Sequence, residues 1–184
     1  VRAALDDLGF EAPTLIQQGV IALMKTGRDV VGQAQTGTGK TAAFGIPLVE
    51  KLDPQLDEVQ AIILCPTREL AMQVAAEVTR LAKYRALRVV CIYGGQPIVK
   101  QFEKLNPAPQ IVVGTPGRVL DHMGRGTLKL DKVRVAVLDE ADEMLDIGFA
   151  PDMERILRMT PKTRQTTLFS ATMPAFIKRM IDRY

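Results

Sequence analysis

Ala34-Gln35-Thr36-Gly37-Thr38-Gly39-Lys40-Thr41 crowds glycines, hydroxyls and one lysine into eight residues between the apolar pair Val30-Val31 and the helix-prone Ala42-Ala43-Phe44. A strand that runs into a glycine loop and then a helix is suited to holding phosphate. Glycines let backbone N–H groups converge, the helix N-terminus adds positive potential, Lys40 can reach β- and γ-phosphates, and the Thr41 hydroxyl can take a Mg²⁺ position. This is a Walker A loop in physical terms, although the pattern opens with glycine and this chain has Ala34 there. One extra methyl at the loop entrance is tolerable if φ is negative.

A second group of side chains complements the loop. Asp139 and Glu140 follow the mostly apolar run Val133–Leu138, where Asp139 can hold Mg²⁺ directly or through water and Glu140 can orient and deprotonate an attacking water. Helix N-terminal acids favoured by the dipole are the bland alternative. Asp142 could bridge to the hydroxyls of Ser170 and Thr172, or all three could simply cap helices. Arg68, Arg118 and the amides around Gly94-Gly95 and Thr115 offer contacts to a sugar–phosphate backbone, which carry no base information. Each arginine alone also suits a surface ion pair. The lone His122 reads as a solvated side chain with no catalytic role.

These residues must be positioned by alternating strands and helices. Thr14 and Gln17 fit a capping box that opens a helix with Ile16, Val20 and Leu23 inward and Gly27 as its stop. The Gln17 amide, with one donor and one acceptor side, could instead face adenine. Lys40 starts a helix that Pro47 should end or kink near Ile46. Strands are predicted at Ala61–Cys65, Val89–Ile92, Ile111–Val113, Val133–Leu138 and Thr166–Phe169. The helices between them include one capped by Thr67 with Leu70, Val74, Val78 and Leu81 inward, and one around Lys100 to Leu105. Another is capped by Thr115 with Pro116 at its first position, one begins near Pro151, and a last one carries Ile177, Met180 and Ile181 inward. Alternation of this kind implies a parallel sheet with helices on both faces. Every polar cluster then follows the C-terminal end of a strand, where the ligand crevice of such a sheet lies.

Composition bounds the reading. The 184 residues suit one domain, which a chain of this size can fold around a proper core. The apolar fraction is 47% with 24% charged, and no apolar run approaches the roughly 20 residues that span a bilayer. The start lacks Met and carries no signal-peptide pattern, so a fragment of a cytoplasmic protein is expected. Cys65 and Cys91 sit in apolar runs without CxxC spacing and are expected as buried, reduced thiols. A net charge of +3 permits a polyanion partner without requiring one.

Taken together, the chain resembles the N-terminal RecA-like domain of DEAD-box RNA helicases, over nearly its whole length. Gly9 to Gln17 is similar to the Q motif, Ala34 to Thr41 to motif I, and Pro66 to Ala71 (PTRELA) to motif Ia. Gly94-Gly95 resembles the GG motif, Thr115 to Arg118 (TPGR) motif Ib, Asp139 to Asp142 (DEAD) motif II, and Ser170-Ala171-Thr172 motif III. Leu15 departs from the family's usual Pro, and the aromatic that usually precedes the Q motif would fall before Val1. The resemblance implies a RecA-like P-loop NTPase fold over 1–184, with ATP and Mg²⁺ as cofactors and RNA as partner. It assigns adenine to Gln17, the phosphates to Ala34, Gln35, Thr36, Gly37, Thr38, Gly39, Lys40 and Thr41, and the metal to Thr41 and Asp139. Catalysis falls to Lys40, Asp139 and Glu140. It assigns the RNA backbone to Pro66, Thr67, Arg68, Gly94, Gly95, Thr115, Gly117 and Arg118, and coupling to Asp142, Ser170 and Thr172. The family's second RecA-like domain carries an arginine-finger segment of His-Arg-x-Gly-Arg type. The only histidine here, His122, is followed by Met123, so the chain is expected to bind nucleotide with little turnover. An ATP-gated RNA clamp that does not unwind and a DNA-directed translocase core would share these features.

Overall fold

The structure, a computed structural model, describes residues 1–35 and 37–184; Thr36, assigned above to the phosphate loop, lies outside the described residues. Six short strands carry the fold: β1 (Val30–Gln33), β2 (Ala61–Leu64), β3 (Val89–Ile92), β4 (Ile111–Gly114), β5 (Val135–Leu138) and β6 (Gln165–Ser170). They form one parallel sheet in the order β1-β6-β5-β2-β4-β3. The helices are α1 (Arg2–Asp7), α2 (Leu15–Lys25), α3 (Lys40–Lys51), α4 (Arg68–Leu81), α5 (Val99–Phe102), α6 (Pro116–Gly124), α7 (Ala141–Ile147), α8 (Ala150–Arg158) and α9 (Ala175–Arg183).

Alternation along each strand divides the core in two. Ala61, Ile63, Ile111, Val113, Val135 and Val137 face α2, α3 and α4, whereas Ile62, Leu64, Val112, Ala136 and Leu138 face α6 to α9. Both faces are therefore covered, which is why the strands read as continuous apolar runs.

Several local expectations give way to packing. Pro47 cannot donate to the Ala43 carbonyl, yet α3 runs through it to Lys51, because Phe44, Leu48 and Val49 are fully buried between the sheet and the neighbouring helices. On α2 the inward stripe is Gln17, Val20 and Met24, and Leu23 is exposed. Leu70 is half-buried, and Ile181 lies at the outer margin of α9 at 37% exposure. The helix expected from Lys100 shrinks to the single turn of α5 and a 3₁₀ turn at Glu103–Leu105. Val133 belongs to the turn before β5, where its amide donates to the Leu130 carbonyl at 3.2 Å. Thr115 occupies the N-cap of α6 with Pro116 following, but its side chain makes no capping bond.

Phe169 of β6 is fully buried and its ring lies 5.5 Å from that of Phe44. Phe169→Ala should cost about 3–5 kcal/mol of unfolding free energy, measured by urea denaturation; a loss under about 1 kcal/mol would contradict this account of the core.

Candidate functional site

The phosphate loop is fixed from three sides. β1 is extended by the Ala34 amide, which donates to the Ser170 carbonyl at 3.3 Å, while the Gln33 side chain donates to the Ala171 carbonyl at 3.2 Å. On the third side stands the start of α2. The Gln17 Oε1 accepts the Thr14 amide at 2.9 Å and the Thr14 hydroxyl accepts the Gln17 amide at 3.4 Å, so the capping box forms. The same two side chains reach into the loop, Gln17 Nε2 donating to the Gly39 carbonyl at 3.2 Å and the Thr14 hydroxyl to the Thr38 carbonyl at 3.2 Å.

Gly39 is required twice over. Its φ of +86° lies in the left-handed region, and a Cβ there would meet Gln17 Nε2 at 2.5 Å. Only glycine lets the chain turn into α3 while Gln17 stays in place. Gly37 is also left-handed, at φ +77°.

Lys40, the first residue of α3, is buried, and its Nζ stands 3.5 Å from Asp139 Oδ1 and 3.7 Å from Glu140 Oε1. Asp139 is held at the tip of β5 by its own amide, which donates to the Leu64 carbonyl at 2.9 Å. The sequence does not reveal that β6 lies between β1 and β5, so that Lys40 reaches across one strand to meet the carboxylates. Asp139 Oδ1 is buried and has no hydrogen-bond partner, its contact with Lys40 being an ion pair without hydrogen-bond geometry. Burial raises the Asp139 carboxyl to about 6; Lys40 opposes the rise and Glu140 adds to it.

Glu140 has φ +53°, an uncommon backbone for a residue with a Cβ, and it sits at the N-cap of α7. The strain turns the chain sharply out of β5, leaving Asp139 at the tip and Glu140 over the crevice. The nearby Glu140 carboxyl raises the pKa of Glu143, three residues on, together with partial burial. Its i, i+3 spacing from Glu140 is legible in the sequence as a neighbouring pair on a helix. Together with Ala34, Lys40, Asp142 and Ala171, these acids line a cavity of about 190 Å³.

Asp142 forms the expected bridge, with one partner exchanged. Its Oδ2 accepts the Thr172 amide at 2.8 Å and the Thr172 hydroxyl at 2.9 Å. Burial pushes its pKa up, but the bonds from Thr172 outweigh it and the carboxyl is held below its ordinary value. The Ser170 hydroxyl donates instead to the Thr172 carbonyl at 2.7 Å, tightening the turn after β6.

The residues assigned to a polyanion gather along the tips of β2, β3 and β4. Pro66 is buried, Thr67 caps α4 by accepting the Leu70 amide at 3.2 Å, and Arg68 is exposed. Arg68 lies 5.9 Å from the centre of the Tyr93 ring and pairs with Glu69 at 3.1 Å, a weak surface contact. Gly94 and Gly95 are exposed, as is Gly117, and Gly95 has φ +81°. The Thr115 amide donates to the Ile92 carbonyl at 3.2 Å. Arg118 is half-buried; its Nη2 donates to the Gln96 carbonyl at 3.0 Å and its Nη1 is buried without a partner.

His122 overturns the expectation of a solvated side chain. It is fully buried, with Nδ1 2.8 Å from the Thr127 hydroxyl and Nε2 3.0 Å from Gln101 Oε1. Gln101 gave no signal in the sequence, because a one-turn helix has too little periodicity to mark an inward polar residue. Cys65 is buried as expected, Cys91 only half so, and burial pushes the Cys91 thiol up to about 11. Among the described residues no group of three His, Cys, Asp or Glu side chains could hold a metal ion alone.

A parallel sheet in this order, with a glycine phosphate loop after β1 and paired acids at the tip of β5, defines a RecA-like domain. The DEAD/DEAH box helicase family matches residues 14–180, and the chain belongs to that family. It is 54% identical over 181 residues to the ATP-dependent RNA helicase CshA of Listeria monocytogenes, covering 98% of this chain and 35% of that protein. It is 53% identical over 184 residues to the DEAD-box ATP-dependent RNA helicase CshA of Geobacillus kaustophilus, covering 100% and 39%. Among solved structures, a DEAD box protein from Methanococcus jannaschii superposes with a TM-score of 0.94 at 49% identity, over 99% of this chain and 50% of that one. A hypothetical ATP-dependent RNA helicase from Sulfolobus tokodaii gives 0.90 at 38% identity, over 98% and 53%. The chain thus spans little more than a third of the curated relatives it matches.

The Asp139 shift has a definite pH signature. Its folded pKa of about 6 exceeds the ordinary 3.8, so between these values the folded state holds more proton than the unfolded state. Stability from this group is present below about pH 4 and is lost as pH rises through 6, by up to about 3 kcal/mol. In urea denaturation at pH 4 and 7.5, the native chain should lose that much relative to Asp139→Asn, and parallel pH dependences would contradict the burial of an orphaned carboxylate.

Proposed function

We propose that this chain is the N-terminal, ATP- and RNA-binding half of the helicase core of an ATP-dependent RNA helicase, acting with a second RecA-like domain in the same cytoplasmic protein. The observation that carries the proposal is the meeting of Lys40 with Asp139 and Glu140 at the strand tips, at 3.5 and 3.7 Å. A cation beside a phosphate loop and two acids at the next tip but one suit a triphosphate whose γ-group faces Glu140.

The donor set fits Mg²⁺. Asp139 Oδ1 is an orphaned carboxylate oxygen, Thr41 is half-buried in the first turn of α3, and no all-protein metal cage exists among the described residues. An ion that keeps several waters and takes phosphate oxygens as further ligands asks for one or two protein ligands of this kind. When bound, Mg²⁺ would neutralise charge on the phosphate oxygens.

The protein's own residues do the remaining work. Amides of the loop through Gly37, Thr38 and Gly39 hold the phosphates, and Lys40 turns from the carboxylates to the anion. Glu140 orients the attacking water and takes its proton. Gln17 already spends one N–H and one lone pair on the loop and its cap; the second of each is left for adenine, which would tie base recognition to loop position. Asp142 and Thr172 join the tips of β5 and β6, so a shift at the acids moves the segment after β6. Arg68, Arg118 and the exposed Gly94-Gly95 and Gly117 backbone favour a sugar–phosphate chain gripped without regard to base.

In the full-length protein, Lys40→Ala should abolish nucleotide binding in a fluorescent-nucleotide titration. Glu140→Gln should still bind ATP and RNA while RNA-stimulated ATP hydrolysis falls by roughly 10²- to 10⁴-fold. Undiminished hydrolysis by the Gln variant would overturn the role of Glu140. Stimulation by DNA equal to that by RNA of the same sequence would favour a DNA-directed core.

A further inference from the structure

His122 and Gln101 are buried polar groups with no part in the reading above, and they form a closed relay. The Gln101 side-chain nitrogen donates to the Tyr93 carbonyl at 3.0 Å, so its Oε1 faces His122 Nε2, which must carry the proton. On the other side of the ring, the Thr127 hydroxyl lies 2.8 Å from Nδ1 and 3.1 Å from the His122 carbonyl, which also accepts the Thr127 amide at 3.0 Å; with the proton on Nε2, Nδ1 is left as an acceptor for that hydroxyl. The ring also packs edge-on against Phe102, with centroids 5.8 Å apart. Every polar atom of the imidazole and of the amide's inner face is satisfied, within a fully buried pair.

The ends of this relay are what matter. Tyr93 is the residue before Gly94-Gly95, and His122 lies one turn beyond Arg118 on α6, at the i, i+4 spacing that places both on one face. The helix therefore grips the loop after β3 with two rungs. Arg118 Nη2 holds the Gln96 carbonyl beyond the glycines, and His122 through Gln101 holds the Tyr93 carbonyl before them. The loop needs such support, since both glycines are exposed and α5, which follows, is a single turn that cannot be stable by itself.

We propose that His122, acting through Gln101, is a positioning residue for the RNA-facing loop: the relay fixes the Gly94-Gly95 amides against Arg118, so that loop and helix meet the sugar–phosphate backbone as one preorganised surface. This rests on the RNA reading of the β3 and β4 tips. Losing the relay frees the loop and weakens the backbone grip, while the nucleotide site, built on β1, β5 and β6, is untouched.

The test uses the full-length protein and reads ATP hydrolysis against RNA and ATP concentrations separately. His122→Phe keeps the ring volume and the Phe102 contact while removing both nitrogens. It should raise the apparent KM for RNA about tenfold, the scale of one buried hydrogen bond, with KM for ATP and kcat at saturating RNA within twofold of native. Gln101→Leu should do the same, and the double variant should be no worse than either single one, because both break one chain of contacts. His122→Gln, which restores an N–H donor, should recover most of the RNA affinity. If His122→Phe does not fold, Gln101→Glu serves: it keeps the shape and the acceptor for Nε2 but cannot donate to the Tyr93 carbonyl, and it should raise KM for RNA alone. Unchanged KM for RNA in a folded variant, or equal rises for RNA and ATP, overturns the positioning role. Arg118→Ala in the same assay separates the two readings: no effect there removes the RNA assignment itself, whereas a rise there with none in His122→Phe removes only the relay.

Discussion

The site depends on one costly arrangement, a buried lysine held beside two carboxylates at the end of a sheet. An ion pair at 3.5 Å with an orphaned oxygen is a poor source of stability, because desolvation offsets most of the attraction. Its persistence is explained by what surrounds it. Fully buried strands fix the backbone of Asp139 and the apolar flanks of α3 fix that of Lys40, so the packing of the core brings the two charges together. Strain at Glu140 belongs to the same arrangement: a left-handed residue is the shortest way out of β5 that leaves two consecutive acids facing one crevice.

Around this centre, segments distant in the chain are tied by few bonds, most of them to main-chain carbonyls. Thr14 and Gln17 hold Thr38 and Gly39, Gln33 holds Ala171, Asp142 holds Thr172, and Arg118 holds Gln96. Side chains that bond to carbonyls fix the path of a loop and leave its amides pointing outward. That is the polarity the proposed function asks for, with phosphate met twice, once at the loop after β1 and once along the tips of β2, β3 and β4.

Much of this was legible before any coordinates. The loop from Ala34 to Thr41, the acids at 139 and 140 and the alternation of strands and helices are local patterns, and local patterns carry the physics of phosphate loops and parallel sheets. Gln17 shows both the reach and the limit of such reading. The capping box was readable from its three-residue spacing, whereas the bond to Gly39 joins residues 22 apart and required the fold. His122 failed for a related reason. A single histidine beside an aspartate on a short helix looks solvated, and only the approach of α5 makes its position interior. Pro47 and Leu23 were misjudged because each obeys its tertiary neighbours over its local rule, Pro47 within a helix packed on both sides and Leu23 at the margin of a stripe that rotates to Met24.

The sheet order also constrains how the molecule can be assembled. Among the described residues β1 pairs only with β6, and β6, the last of the six strands in sequence, lies between β1 and β5. A polypeptide that ends before Gln165 therefore leaves β1 without a partner in the sheet, and the loop before Lys40 loses the bonds of Gln33 and Ala34 to the segment at the end of β6. Insertion of β6 closes the gap between β1 and β5, so the two sides of the crevice are joined through the sheet by that one strand.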